Sequence, residues 1–119
     1  MENNEKYNGW TNKETWLICL WIDNEQALQE KVLQLAADAK INPKKSEVWT
    51  VAEAEKFTLE QSIDDFVDEL IYNERESAGG LISDLLSCAI SRINFLELAE
   101  HYLEEVKGNY LVIAGKVAE

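Results

Sequence analysis

Apolar residues recur at three- and four-residue steps through most of the chain, a period that predicts helices. Between Asn12 and Asn24, Trp16, Leu17, Leu20 and Trp21 fall on one broad face, and Ile18, Cys19 and Ile22 cover the other. A helix that is apolar all round is a core helix. Trp10, Trp16, Leu17, Leu20 and Trp21 are therefore the expected core, with this helix at the centre of the molecule. It is too short to span a bilayer, which takes about 20 apolar residues. Thr11 and Glu14 have the spacing of a capping box. Gly9 predicts a tight turn that folds Trp10 back onto the helix.

The same period continues downstream. After the break at Asp23-Asn24-Glu25, Leu28, Val32, Leu35 and Ala39 predict a helix to about Lys40. Residues 41–47 form a loop around Pro43, the only proline. Residues 46–73 read either as one helix bent near Thr58 or as two helices. Thr58 with Gln61 offers a second capping box there, and Leu59, Ile63, Phe66, Val67, Leu70 and Ile71 keep the period beyond it. Ser77-Ala78-Gly79-Gly80 ends that element. A helix over 81–93 would turn Ile82, Leu85, Leu86, Ala89, Ile90 and Ile93 inward. Asn94 then caps a last helix to about Lys107, packed through Phe95, Leu98, Ala99, Tyr102 and Val106. Residues 1–6 are polar and expected to fray, and the apolar tail 110–119 reads as a short strand or an extended arm. The expectation is an all-α, compact single-domain bundle of about five helices around the Trp-rich N-terminal helix, with a short C-terminal arm.

Composition narrows the function classes. At 119 residues the chain can bury one core without metal or disulfide support. Its net charge of −12 opposes contact with nucleic acid and anionic membranes, so a basic protein surface is the expected partner, with no direct nucleic-acid or membrane binding. Cys19 and Cys88 both lie in apolar helical patterns and read as buried free thiols of a reducing compartment. The polar N-terminus does not have the form of a signal peptide.

Candidate chemistry is sparse. The one histidine, His101, shares a helix face with Glu97 and Glu104. Helical di-metal bundles use Glu and His three residues apart on paired helices, whereas Leu98 occupies that position here. His101 thus reads as a surface histidine among glutamates. Phosphate-binding, dinucleotide and zinc-binding spacings are missing from the sequence. The reading is a non-enzymatic protein with no catalytic residues, no metal ligands and no cofactor.

Charge is distributed unevenly. Residues 1–52 carry eight acids and six bases, and residues 53–119 carry fifteen acids and five bases. Glu60, Asp64 and Asp68 form one i, i+4, i+8 row, and Asp65 and Glu69 form another. Like charges at this spacing weaken a helix by roughly 0.2–0.5 kcal/mol per pair, and no row of lysines offsets them. The rows repeat every ~6 Å along a helix, a spacing of fixed charge suited to imitating a phosphate backbone. The alternative is a solvated outer face.

Two segments carry a resemblance. Gly9-Trp10-Thr11-Asn12-Lys13-Glu14-Thr15-Trp16, with Leu20-Trp21-Ile22-Asp23-Asn24 after it, resembles the G-W-T-N-x-E-T-W opening of a family of small uncharacterised phage, plasmid and mobile-island proteins. The stretches 78–86 and 93–103 resemble the later part of that family. Phe95 stands where many relatives have Trp, and 41–58 departs from the pattern. The resemblance implies no defined activity. It does imply a bacterial cytoplasm as the setting and a counter-defence role. The resulting expectation is a small acidic binding protein, a nucleic-acid mimic that inhibits a host defence or DNA-handling protein through Glu60, Asp64, Asp65, Asp68 and Glu69. The alternative is a structural or regulatory adaptor or homodimer whose contact is the apolar tail or the aromatic surface.

Overall fold

Asn8 and Gly9 both take positive φ, at 50° and 89°, the requirement of the tight hairpin turn that Asn-Gly favours. Tyr7 and Trp10 exchange both backbone hydrogen bonds across it, at 2.7 and 2.8 Å. The turn sets Tyr7 against Trp16, ring centroids 4.9 Å apart, and delivers Trp10 to the start of the first helix. The computed structural model describes residues 6–77 and 79–115, with side chains for 6–72 and 79–115. The expected fraying of 1–6 therefore lies largely outside the described residues.

The described residues form an all-α globule of six helices: α1 (Lys13–Asn24), α2 (Gln26–Ile41), α3 (Val51–Ser77), α4 (Gly80–Ser91), α5 (Phe95–Val106) and α6 (Tyr110–Ile113). The core joins Cys19 and Ile22 of α1, Val32, Ala36 and Ala39 of α2, Leu59, Ile63 and Val67 of α3, and Leu98, Ala99, Tyr102 and Val106 of α5. Burying each large apolar side chain here contributes about 1.5–3 kcal/mol. The packing centre is the α2–α3–α5 group rather than α1, which lies against α2 and α5.

Several expectations are corrected by this arrangement. On α1 the buried stripe is Thr15, Cys19 and Ile22. Leu17 and Leu20 are 40% and 37% exposed, Trp21 is 61% exposed, and Trp10 and Trp16 are only partly buried. The small Thr15 and Cys19 let α1 approach its neighbours closely, so the large side chains go outward. Helix α3 is continuous, with no break at Thr58. Its capping box is Thr50 with Glu53: the Glu53 N–H donates to Thr50 Oγ1 at 3.1 Å, and the Thr50 N–H to Glu53 Oε1 at 2.9 Å. Thr58 instead accepts the Lys44 N–H at 2.8 Å, pinning the loop after α2 to the flank of α3. The segment after α5 is neither strand nor extended arm as far as Gly115. It turns into α6, which packs on α2 with Lys40 Nζ 5.9 Å from the Tyr110 ring centre.

Helix α4 departs furthest from expectation. It has no buried residue. Ile82 and Leu85, expected inward, are 63% and 59% exposed, and Leu81 is 73% exposed. Leu86, Ala89, Ile90 and Ile93 are half-buried. Cys88, expected buried, is exposed, while Cys19 is buried, and both are free thiols. The radius of gyration is 15.7 Å, with extents of 49 × 34 × 29 Å. The expected single compact all-α bundle is thus found, somewhat longer in one direction than in the other two.

Candidate functional site

The Thr-Asn-Lys-Glu-Thr run has a structural task. Asn12, not Thr11, caps α1: its Oδ1 accepts the Thr15 N–H at 2.9 Å and the Thr15 hydroxyl at 2.7 Å. Asn94 caps α5 in the same way, accepting the Glu97 N–H at 3.0 Å. The two caps are tied together. The Asn94 N–H donates to Thr15 Oγ1 at 2.8 Å, Asn12 Nδ2 donates to the Arg92 carbonyl at 2.6 Å, and the Thr11 N–H donates to the Glu97 carboxylate at 3.0 and 3.2 Å. Glu97 is thus a clasp between helix starts, not a partner of His101. The distinctive sequence run is accounted for by this joint.

A second polar group lies between α1 and α5. Cys19, Asp23 and His101 each bring one donor atom within 4.8 Å of the others. The Tyr102 hydroxyl donates to Asp23 Oδ1 at 2.9 Å and lies 3.5 Å from Cys19 Sγ, and the thiol donates to Asp23 Oδ2 at 3.4 Å. Burial, the largest cause, pushes the Cys19 thiol up to about 11, and the Asp23 charge adds to it. The sulfur is therefore held as a thiol rather than as a nucleophilic thiolate. His101, expected on the surface, is half-buried, edge-on to Trp10 at 5.1 Å and to Tyr102 at 4.8 Å. Cys19, Asp23 and Tyr102 form a hydrogen-bonded clasp, with the His101 ring packed beside it.

The two acidic rows of α3 lie on its outer side. Asp65, Asp68 and Glu69 are exposed, and Glu60 and Asp64 are half-buried. Burial raises the Asp64 carboxyl above its ordinary value, with Asp65 and Asp68 adding repulsion. Asp65 accepts the Gln61 amide at 3.0 Å. Lys40 pairs with Glu55 at 3.3 Å, Lys56 with Glu100 at 3.2 Å and Arg92 with Glu14 at 3.4 Å, while Lys31 lines a shallow cleft with Asp65 and Glu69. Among the described residues, Glu60, Asp64, Asp65 and Glu69 have no lysine or arginine at ion-pair distance. Beside Glu60, a groove of about 620 Å³ is lined by Lys44, Trp49, Phe57, Thr58 and Gln61, with the Trp49 and Phe57 rings edge to face at 4.9 Å. Local spacing does not reveal this groove, because it depends on how the pinned loop before α3 sets Trp49 against Phe57.

The comparison of families covers most of the chain: the profile of a family of unknown function, DUF7249, matches residues 3–109. The chain belongs to DUF7249. Neither a curated protein nor a solved structure matches this DUF7249 chain. Among its described residues, no helix is long and apolar enough to cross a membrane.

Proposed function

We propose that this DUF7249 protein is a non-enzymatic binding protein that presents the outer face of α3 to a basic protein surface, in the manner of a nucleic-acid mimic. The observation that carries the reading is that, among the described residues, Glu60, Asp64, Asp65 and Glu69 have no lysine or arginine at ion-pair distance. The α3 rows place charge every ~6 Å along a rigid helix, and their summed field speeds encounter with an opposite charge. The Trp49–Phe57 groove next to Glu60 offers an aromatic face to a lysine or arginine side chain of the partner. A host defence or DNA-handling protein in a bacterial cytoplasm is the partner class that this chemistry suits.

The test compares the wild type with a Glu60→Gln, Asp64→Asn, Asp65→Asn, Glu69→Gln variant, each immobilised and exposed to bacterial lysate. The expected result is retention of a basic protein that elutes between low and moderate salt, is displaced by duplex DNA and is lost with the variant. Equal retention by the variant, or indifference to DNA, would refute the mimic reading.

A further inference from the structure

Cys19 and Asp23 stand four residues apart on α1 and so share one face. His101 of α5 stands against that face. One donor atom from each of the three, a sulfur, a carboxylate oxygen and an imidazole nitrogen, lies within 4.8 Å of the other two. Such a mixed set suits zinc and its neighbours among the transition metals, whereas magnesium and calcium take oxygen ligands. In a tetrahedral site with these donors, neighbouring ligand atoms stand about 3.5 Å apart. Cys19 Sγ and Asp23 Oδ2 are already at that separation, 3.4 Å. A ring movement on the order of 1 Å brings the His101 nitrogen to it as well. The surroundings hold the ligands as outer groups do around a metal. The Tyr102 hydroxyl donates to Asp23 Oδ1 at 2.9 Å, which leaves Oδ2 to face a cation. The His101 ring is held edge-on by Trp10 and Tyr102. Cys19 is buried and Asp23 exposed, so the group has an entry from solvent. Among the described residues, no lysine or arginine pairs with Asp23, and Glu105 adds negative potential at Cys19.

We infer that Cys19, Asp23 and His101 form a binding site for one divalent transition-metal ion of the zinc type, with water as the fourth ligand. The cation itself deprotonates a thiol that it coordinates. A sulfur–metal bond replaces the S–H bond of Cys19, and the proton passes to water. Asp23 Oδ2 loses the thiol hydrogen bond and binds the cation in its place. The thiolate and the carboxylate together balance the two positive charges. The expectation of no metal ligand weighed only the neighbours of His101 on its own helix, and the other two ligands come from α1. Helices α1 and α5 are already joined at their starts through Asn12 and Asn94, and the cation adds a second tie further along both. Cys19, Asp23 and Tyr102 are hydrogen-bonded to one another without it, so the cation is a ligand of the folded protein and not a condition for folding. The partner-binding reading of α3 is independent of this inference.

The experiment is titration of Co²⁺ into the reduced, chelator-stripped protein, followed by absorption. The expected result is one equivalent bound, with a thiolate-to-cobalt band in the near ultraviolet and visible bands of tetrahedral intensity. An equivalent of Zn²⁺ should bleach these bands, and excess Mg²⁺ should not. Cys88→Ser should leave the titration unchanged, because Cys88 is the other, exposed thiol. Cys19→Ser should remove the thiolate band. Asp23→Asn and His101→Gln should each weaken Co²⁺ binding by about 10-fold to 100-fold or more. Asp23 is exposed and His101 half-buried, so both variants should keep the wild-type circular dichroism, and they decide the matter even where Cys19→Ser does not fold. Three outcomes overturn the inference: no thiolate band at one equivalent, a band lost with Cys88→Ser, or an affinity unchanged in both Asp23→Asn and His101→Gln.

Discussion

Thr15 is fully buried, and its hydroxyl serves two helices at once, donating to Asn12 and accepting from the Asn94 N–H. Replacing it by Val keeps the shape but leaves the Asn94 N–H without a partner in the joint. Thr15→Val should therefore cost about 2 kcal/mol, and Thr15→Ser clearly less. Urea titration of the two variants checks this, and equal loss for both would mean that the hydroxyl is not what matters. Sequence spacing placed a cap near Thr11 but not which residue fills it. Thr11, Asn12 and Thr15 are all competent acceptors. The choice falls on Asn12 because Glu97, from another helix, takes the Thr11 N–H.

Helix α1 shows how element type and element orientation part company. The period marked it as a helix, but residues apolar on every side do not say which stripe faces in. The side chains of Thr15, Cys19 and Ile22 do. Leu20→Ala, at a position 37% exposed, should consequently cost only about 1 kcal/mol. Ile22→Ala, at 2% exposed, should cost about 2–5 kcal/mol. Thermal or denaturant unfolding of the pair tests the assignment, and the reverse order would place Leu20 in the core after all. The long helix α3 was legible from its steady period after Leu59. Its true start was not, because the Thr50–Glu53 box competes in sequence with the equally plausible Thr58–Gln61 pair. What decides between them is the Lys44 N–H, which occupies Thr58.

At the scale of the whole molecule the dominant force outside the core is self-repulsion. A net charge of −12 concentrated in the second half favours any state that spreads the charge, and the unfolded chain does so. Added salt screens the repulsion within a Debye length of about 10 Å at 0.1 M. Raising NaCl from 0.02 to 0.5 M at fixed protein concentration should thus raise Tm by about 4 °C, corresponding to roughly 1 kcal/mol. A melting temperature that falls with salt would mean that the ion pairs, such as Lys40–Glu55 and Lys56–Glu100, outweigh the repulsion. The amide variant of the α3 face should start from a higher Tm at low salt and gain less from it.

The sequence by itself determined the helical class, most helix spans, the cap at Asn94 and the acidic rows of α3. These are properties of local spacing: periodicity, capping geometry and charge steps along one helix are complete within a few turns of chain. Only the tertiary structure decided the rest. It turned α1 so that its tryptophan-rich side faces out, joined its cap to that of α5 through Asn94 and Glu97, and left α4 apolar on its solvent side. Each of these depends on what stands opposite a residue, and the partners lie about 80 positions apart in the chain, as with Asn94 and Thr15. An apolar helix written the same way in sequence becomes core in one place and surface in another, because burial is a property of the neighbours a fold supplies.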